Sequence, residues 1–279
     1  MPWQQKIGLS TLASDWTGNL SAVLLAAGEG KRLRPLTEFW PKCLMPIQGR
    51  PLLEHWFFAL HNVAPLPIFV NTFYLKEIVE DFLDREVLRG LWKVSEESEL
   101  LGTAGTLRNL YTHLKGKTLL VIHSDNWTDI DLPAFLEFHD KTRAQGTSIS
   151  MATFEAEYPK NCGIVECDIN DVLINFHEKI TNPPGNKANA AIYLMEPQVI
   201  EWIKENPHVS DISVGLIPEF LGDIRCFHHQ GFHRDIGTLD QLAAAQGDQS
   251  KSIAWKPDEW LCNFRRSKIM YQLKRLTNV

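Results

Sequence analysis

Cysteine is scarce and scattered. Cys43, Cys162, Cys167, Cys226 and Cys262 are odd in number and contain no C-x-x-C pair, which argues against a disulfide framework and for a reduced, cytoplasmic protein. No apolar run reaches the roughly eighteen residues that a membrane-spanning helix needs. The opening MPWQQKIGLSTLASDWTGNL has no continuous apolar core of signal-peptide length. Charge of one sign is also lacking: the net charge is −6 over 279 residues, so no global basic field points to nucleic acid or an anionic membrane. No internal repeat is visible.

What is present is apolar material, 44% of the chain, enough for one large domain with short extensions. Ala22–Ala27 has strand length. Pro51–Asn62 predicts a helix, Pro65–Asn71 a strand, Lys76–Leu88 a helix, Leu91–Val94 a strand, Thr103–Leu114 a helix and Thr118–Ile122 a buried strand. That rhythm predicts βαβ units and a mainly parallel sheet. After a helix at Leu132–Lys141 the rhythm changes. Ser148–Ala152, Gly163–Glu166, Val172–Phe176, Ala188–Leu194 and Ile224–His228 read mostly as strands joined by polar turns, with helices at Pro197–Glu205 and Thr238–Gln246. The expected organisation is an extension over residues 1–20, a domain over 21–250 and a helical tail over 251–279.

The chain is organised around Ser21–Glu54. A short strand stops at Gly28-Glu29-Gly30, where two glycines permit a tight turn with exposed backbone N–H groups, an anion-binding nest. Lys31, Arg32 and Arg34 add charge beside it. Pro35, Pro41, Pro46 and Pro51 make the following segment too irregular for one helix, and Lys42 sits inside it. A phosphorylated ligand explains basic charge gathered at a strand end. The string is not a dinucleotide fingerprint, which needs a third glycine, nor a Walker A loop, since no Gly-Lys-Ser/Thr follows.

G-x-G-x-R-L-x-P-L-T followed by P-K-x-x-x-P resembles the signature of the sugar-1-phosphate nucleotidyltransferases, which make nucleotide sugars. The resemblance runs from Ser21 to Gly247 through six elements in the family's order. It implies an α/β, three-layer, Rossmann-like fold with a mainly parallel mixed central sheet and a smaller, acceptor-binding β-rich portion. It also implies nucleotide contacts from Ala27, Gly28, Gly30, Arg32, Lys42, Gly102, Thr103 and Ser124. Of these, Gly102 and Thr103 lie in L-G-T-A-G beside the base and ribose. Sugar-phosphate contacts would come from Gly163, Glu178, Lys179 and Asn189. Asp125 and Asp235 would hold Mg²⁺, and Arg32, Lys42, Asp125 and Asp235 would form the catalytic set. By itself, an Asp after a strand is more often a turn-former or cap, and a Glu-Lys pair is usually solvated surface. Only the resemblance lifts them above that.

The chain departs from the family pattern at three places: Ser124 stands for Gly before the first Asp, Ile180 for Pro, and Ala191 for the Gly of Asn-Ala-Gly. The added methyl at Ala191 is expected to narrow the sugar pocket, and the Ser124 side chain to tighten the ribose site or change its hydrogen bonding. The family's implied partners are a nucleoside triphosphate and a sugar 1-phosphate, with a homodimer as the family-level expectation and no nucleic acid or membrane. L-G-T-A-G leans towards GTP with mannose 1-phosphate or a related manno-configured sugar. A uridylyltransferase for a hexose or amino-sugar 1-phosphate is the alternative, and a catalytically silent nucleotide-sugar binder is another. Hexapeptide repeats of larger relatives are absent. Cys226, His228, His229 and His233 are crowded together but fit no strong zinc pattern.

Overall fold

The computed structural model describes residues 19–61, 63, 68–250 and 253–277. Residues 1–18 of the expected N-terminal extension lie outside the described residues, and β1 begins at Leu20, the last residue of its expected span. The strands are β1 (Leu20–Leu25), β2 (Pro46–Ile47), β3 (Arg50–Pro51), β4 (Ile68–Thr72), β5 (Trp92–Glu96), β6 (Thr118–His123) and β7 (Asn126–Thr128). There follow β8 (Ile149–Glu155), β9 (Gly163–Cys167), β10 (Leu173–Glu178), β11 (Lys187–Met195), β12 (Ile224–His228) and β13 (His233–Asp235). The helices are α1 (Leu52–His61), α2 (Lys76–Leu83), α3 (Thr103–Asn109), α4 (Tyr111–Leu114), α5 (Leu132–Arg143), α6 (Pro197–Glu205), α7 (Leu239–Ala245), α8 (Glu259–Phe264) and α9 (Lys268–Thr277).

One sheet runs in the order β10-β9-β11-β6-β1-β4-β5, with β8 beside β11 and β12 beside β8. The half formed by β6-β1-β4-β5 is wholly parallel. β11 reverses direction against β6, β8 and β9, so the second half is mixed. Parallel strands are covered on both faces and therefore apolar throughout. Leu24 and Ile122 face one core, packed by α1, α2, α5, α7, α8 and α9. Val23 and Val121 face the other, packed by α3, α4 and α6. The result is the three-layer α/β fold expected, with a mainly parallel mixed central sheet.

Differences from the expected elements have local causes. The helix expected over Lys76–Leu88 stops at Leu83 and gives way to a 3-10 turn at Glu86–Leu88. The one expected over Thr103–Leu114 is interrupted at Leu110, which closes α3 and opens α4. The strand expected from Pro65 is seen from Ile68 to Thr72, and residues 64–67 lie outside the described set. The tail forms two helices, not one.

The first of them, α8, is bolted on through a largely buried charge network. Asp258 caps α8 by accepting from the Leu261 N–H and receives Arg85 through Nε at 2.8 Å and Nη2 at 3.0 Å. The other side of Arg85 donates to Glu54 at 2.7 Å, a carboxylate with no solvent exposure that Arg50 also grips. The Arg85 plane stands over Phe82 and Trp260. Burial pushes the Asp258 carboxyl up, yet Arg85 outweighs it and holds it below the usual carboxylate range. The stability that Asp258 contributes is therefore present above its unfolded pKa and lost as pH falls through the lower folded value.

Candidate active site

The sheet ends at His123, and the chain turns through Ser124 and Asp125 into β7. β7 pairs antiparallel with β13 over only three positions, with Asp235 opposite Asn126 and the Ile236 N–H donating to the Asp125 carbonyl at 3.2 Å. This small ribbon brings together two acids that are remote in sequence. Lys42 Nζ lies between them, 2.5 Å from Asp125 Oδ2 and 2.7 Å from Asp235 Oδ1. Arg32 Nη2 reaches the other oxygen of Asp235 at 3.0 Å. Gly237 is required for that contact, because a Cβ there would meet Arg32 Nη2 at 2.6 Å and both Asp235 oxygens at 2.9 Å.

Burial lowers the affinity of Lys42 for its proton, but the two aspartates outweigh it and its pKa is raised. Burial likewise disfavours the Asp125 carboxylate, and Lys42, by its charge and its hydrogen bond, more than reverses that, so its pKa is lowered. Both groups are therefore charged near neutral pH. Lys42 leaves a 3-10 turn at Lys42–Leu44 that follows Pro41, and its stem runs past Gly30. At Gly30 φ is +60° and a Cβ would lie 2.9 Å from Thr37 and 3.1 Å from the Lys42 Cβ. The second glycine of the turn thus makes room for the lysine.

A cavity of about 240 Å³ opens beside the acid pair. Ala27, Gly28, Lys42, Gly102, Thr103, Ser124 and Asp125 all line it, whereas Gly30 and Arg32 stand at the acid pair's side. The Ser124 hydroxyl turns back to donate to the Leu25 carbonyl at 2.7 Å. Gly102 is the N-cap of α3, and the Ala104 and Gly105 N–H groups donate to the Ser210 carbonyl. The Gly102 backbone approaches that carbonyl so closely that a Cβ would lie 2.3 Å from it. The glycine serves the packing of the 207–212 segment as well as the cavity wall.

Of the residues expected to contact the sugar phosphate, Gly163 and Glu178 are register partners across β9 and β10, and Lys179 Nζ lies 2.7 Å from Glu178. Lys179 is 63% exposed. The Cys162 thiol is pushed up by burial first and by Asp235 next, and it also feels Lys179 and Glu178; the acid pair and the Glu-Lys pair are electrostatic neighbours. Asn189 accepts from the Ala191 N–H at 2.8 Å and donates to the Tyr193 hydroxyl at 2.7 Å. That bond stabilises a register shift in β11 where Ala191 has φ +52°. An alanine there is strained by about 1–2 kcal/mol, partly offset by the greater unfolded freedom of glycine. Ala191→Gly is expected to raise Tm by roughly 1–2 °C, read by calorimetry; a fall in Tm would contradict the assigned strain.

Asp125 and Asp235 fit a hard divalent cation: two anionic oxygens share one positive centre, and both side chains are partly exposed. The described residues hold no cluster of three or more His, Cys, Asp or Glu that could bind a metal, so a cation there would keep waters or phosphate oxygens, as Mg²⁺ does. The same survey gives no zinc cluster at Cys226 and the histidines; His229 pairs instead with Asp129 at 2.9 Å.

Residues 21–252 match the sequence profile of the family described as nucleotidyl transferase. The chain belongs to that family. The nucleotidyl transferase is 30% identical over 246 residues to mannose-1-phosphate guanylyltransferase of Mycobacterium tuberculosis, covering 86% of this chain and 67% of that protein. It is 32% identical over 222 residues to the mannose-1-phosphate guanylyltransferase catalytic subunit beta of Drosophila melanogaster, covering 77% of this chain and 59% of that one. It therefore spans less than two thirds of some of these relatives. In fold it is similar to a candidate glucose-1-phosphate thymidylyltransferase from Bacillus anthracis, with a TM-score of 0.74, 21% identity and coverage of 85% of this chain and 98% of the other.

Several residues lining the nucleotidyl transferase's cavity carry no sequence motif. Asn71, at the end of β4, accepts from the Ala26 N–H at 2.6 Å and donates to Glu97, which also accepts from the Thr106 hydroxyl. Glu97 is 4% exposed yet lines the cavity. His123 lines it too, with Nε2 buried and unpartnered in the structure, and burial lowers its pKa so that it is neutral. The only available signal was position at or after the carboxyl ends of parallel strands, where such sheets bind ligands. No helix among the described residues is long and apolar enough to cross a membrane.

Proposed function

We propose that this nucleotidyl transferase moves a nucleoside monophosphate from a nucleoside triphosphate to a sugar 1-phosphate and releases pyrophosphate, with GTP and mannose 1-phosphate, or a related manno-configured sugar phosphate, as substrates. The observation that carries the reading is the pair Asp125 and Asp235, bridged by Lys42 at 2.5 and 2.7 Å beside the glycine-turn cavity. Phosphoryl chemistry of this kind needs positioning and charge, with little covalent machinery. The acceptor phosphate is already largely ionised near neutral pH, so its oxygen can attack the α-phosphorus without a general base. Lys42 offers a compact ammonium to the α-phosphate, and Arg32 and the turn at Gly28 and Gly30 receive the departing pyrophosphate. Mg²⁺ held by Asp125 and Asp235 would offset phosphate charge when bound. The mechanism is thus one of orientation and electrostatics.

The choice of base and sugar rests on the guanylyltransferase relatives in Mycobacterium and Drosophila and on Glu97. A carboxylate lining the cavity suits a base with an exocyclic amino donor, which guanine has and uracil lacks. Acceptor recognition falls to Lys179 and Glu178. Lys179→Ala is expected to raise the KM for the sugar phosphate about tenfold or more with the nucleotide KM little changed. Unchanged acceptor kinetics with collapsed nucleotide kinetics would show that the two pockets have been exchanged. The test of the reading is pyrophosphate release with four nucleoside triphosphates crossed with several sugar 1-phosphates, with and without Mg²⁺. GTP with a manno-configured acceptor should turn over fastest. UTP with a hexose or amino-sugar phosphate would shift the specificity, and no release with any pair would leave a silent binder.

A further inference from the structure

We infer that Lys42 is an internal competitor for the metal site, so that the nucleotide-free protein binds a divalent cation weakly and the site opens only when a phosphate draws the ammonium away. The inference rests on the metal assignment proposed above and goes beyond it by ordering the binding events.

The Lys42 ammonium contacts one oxygen of each acid that would hold the ion. Its side chain is 9% exposed, and its backbone is fixed by the turn in which the Leu44 N–H donates to Pro41 and the Met45 N–H to Lys42. The stem is confined further by Gly30 and Thr37. Only the end of the side chain can move. A divalent ion held by the same carboxylate oxygens would repel the ammonium that already contacts them. Both cations therefore cannot share the acid pair. Expelling the ammonium with nothing to receive it leaves a nearly buried charge unpaired, which is costly.

The cavity supplies the missing destination. Lys42 lines it together with Gly28 and Asp125, so a nucleotide phosphate seated there takes the ammonium as the ion takes the carboxylates. Arg32, 65% exposed and paired with Asp235, can follow the same phosphates. Nucleotide and metal then bind with positive coupling, which by linkage is reciprocal. The wild type avoids holding a metal in the wrong state, and Lys42 is already poised where the α-phosphate will arrive.

The experiment is a Mn²⁺ titration of the nucleotide-free protein, followed by the electron paramagnetic resonance of free Mn²⁺. Lys42→Met keeps the stem and removes the charge; it should bind Mn²⁺ at least tenfold more tightly than the wild type. Lys42→Gln repeats the comparison with a polar end, and circular dichroism checks both folds. Adding Asp125→Asn to Lys42→Met should abolish the gain. Equal Mn²⁺ affinity in wild type, Lys42→Met and Lys42→Gln would overturn the inference while leaving the transfer reaction standing. A gain that survives Asp125→Asn would overturn it as well, because the tighter site would then lie elsewhere. Failure of the proposed function reads separately, as absence of pyrophosphate release by the wild type.

Discussion

Asp125→Asn and Asp235→Asn each lower kcat by about 10²–10³-fold or more, the scale of losing one charged partner of a developing phosphate charge, with the far-ultraviolet circular dichroism unchanged. Asparagine preserves size and can still accept from Lys42, so the β7–β13 ribbon and the Ile236 to Asp125 backbone bond are retained. What is lost is one anionic oxygen from a site that has only two acids. Lys42 keeps a single carboxylate and is held more loosely before phosphate arrives. Stopped-flow or coupled pyrophosphate release measures the effect. Normal turnover in purified Asp125→Asn would remove that residue from the cation site, and normal turnover in Asp235→Asn would do the same for its partner.

The second large effect is on stability and lies away from the chemistry. Arg85→Ala is expected to cost about 3–5 kcal/mol, read as a lower urea midpoint at unchanged slope. Glu54 has no solvent exposure, and removing Arg85 leaves it with Arg50 alone. Asp258 loses both of its guanidinium bonds at once, and the aromatic faces of Phe82 and Trp260 lose the cation between them. Since Asp258 caps α8, the tail should loosen first. That matters for the site, because α8 and α9 pack on the segment that carries Lys42: Phe264 lies against Trp40, and Lys268 stands over Phe39. Arg85→Lys should recover little, as an ammonium cannot serve two carboxylates with a planar fork. A loss below about 1 kcal/mol would show that the network is incidental.

Much of the fold was legible because its signals are local. The apolar runs at β1 and β6, the helix at Pro197–Glu205 and the strand at Ile224–His228 are read directly from pattern. The candidate site was legible where it is built of motif: the glycine turn, Lys42 and the two aspartates all stand in recognisable strings. Their meeting was not. The β7–β13 ribbon is three residues on each side, too short for periodicity, and its pairing spans a hundred residues of chain. The Asn71–Glu97–Thr106 network was equally silent, since an isolated polar residue at a strand end looks like any turn residue. Ala191 shows the reverse case. A resemblance flagged the missing glycine, but only its positive φ reveals backbone strain, where a narrowed pocket had been expected. The partner of the Ser124 hydroxyl was hidden for a similar reason: the Leu25 carbonyl belongs to a neighbouring strand that the linear sequence does not place beside it.

The proposed chemistry depends on two acids and one basic residue meeting at a single point, and diffraction can locate that point. Crystals grown with Mn²⁺ and a non-hydrolysable GTP analogue should give one anomalous peak touching both Asp125 and Asp235, with Lys42 Nζ withdrawn from between them onto a phosphate oxygen. A peak bound to neither acid, or nucleotide bound with Lys42 still joining the two carboxylates, would contradict it.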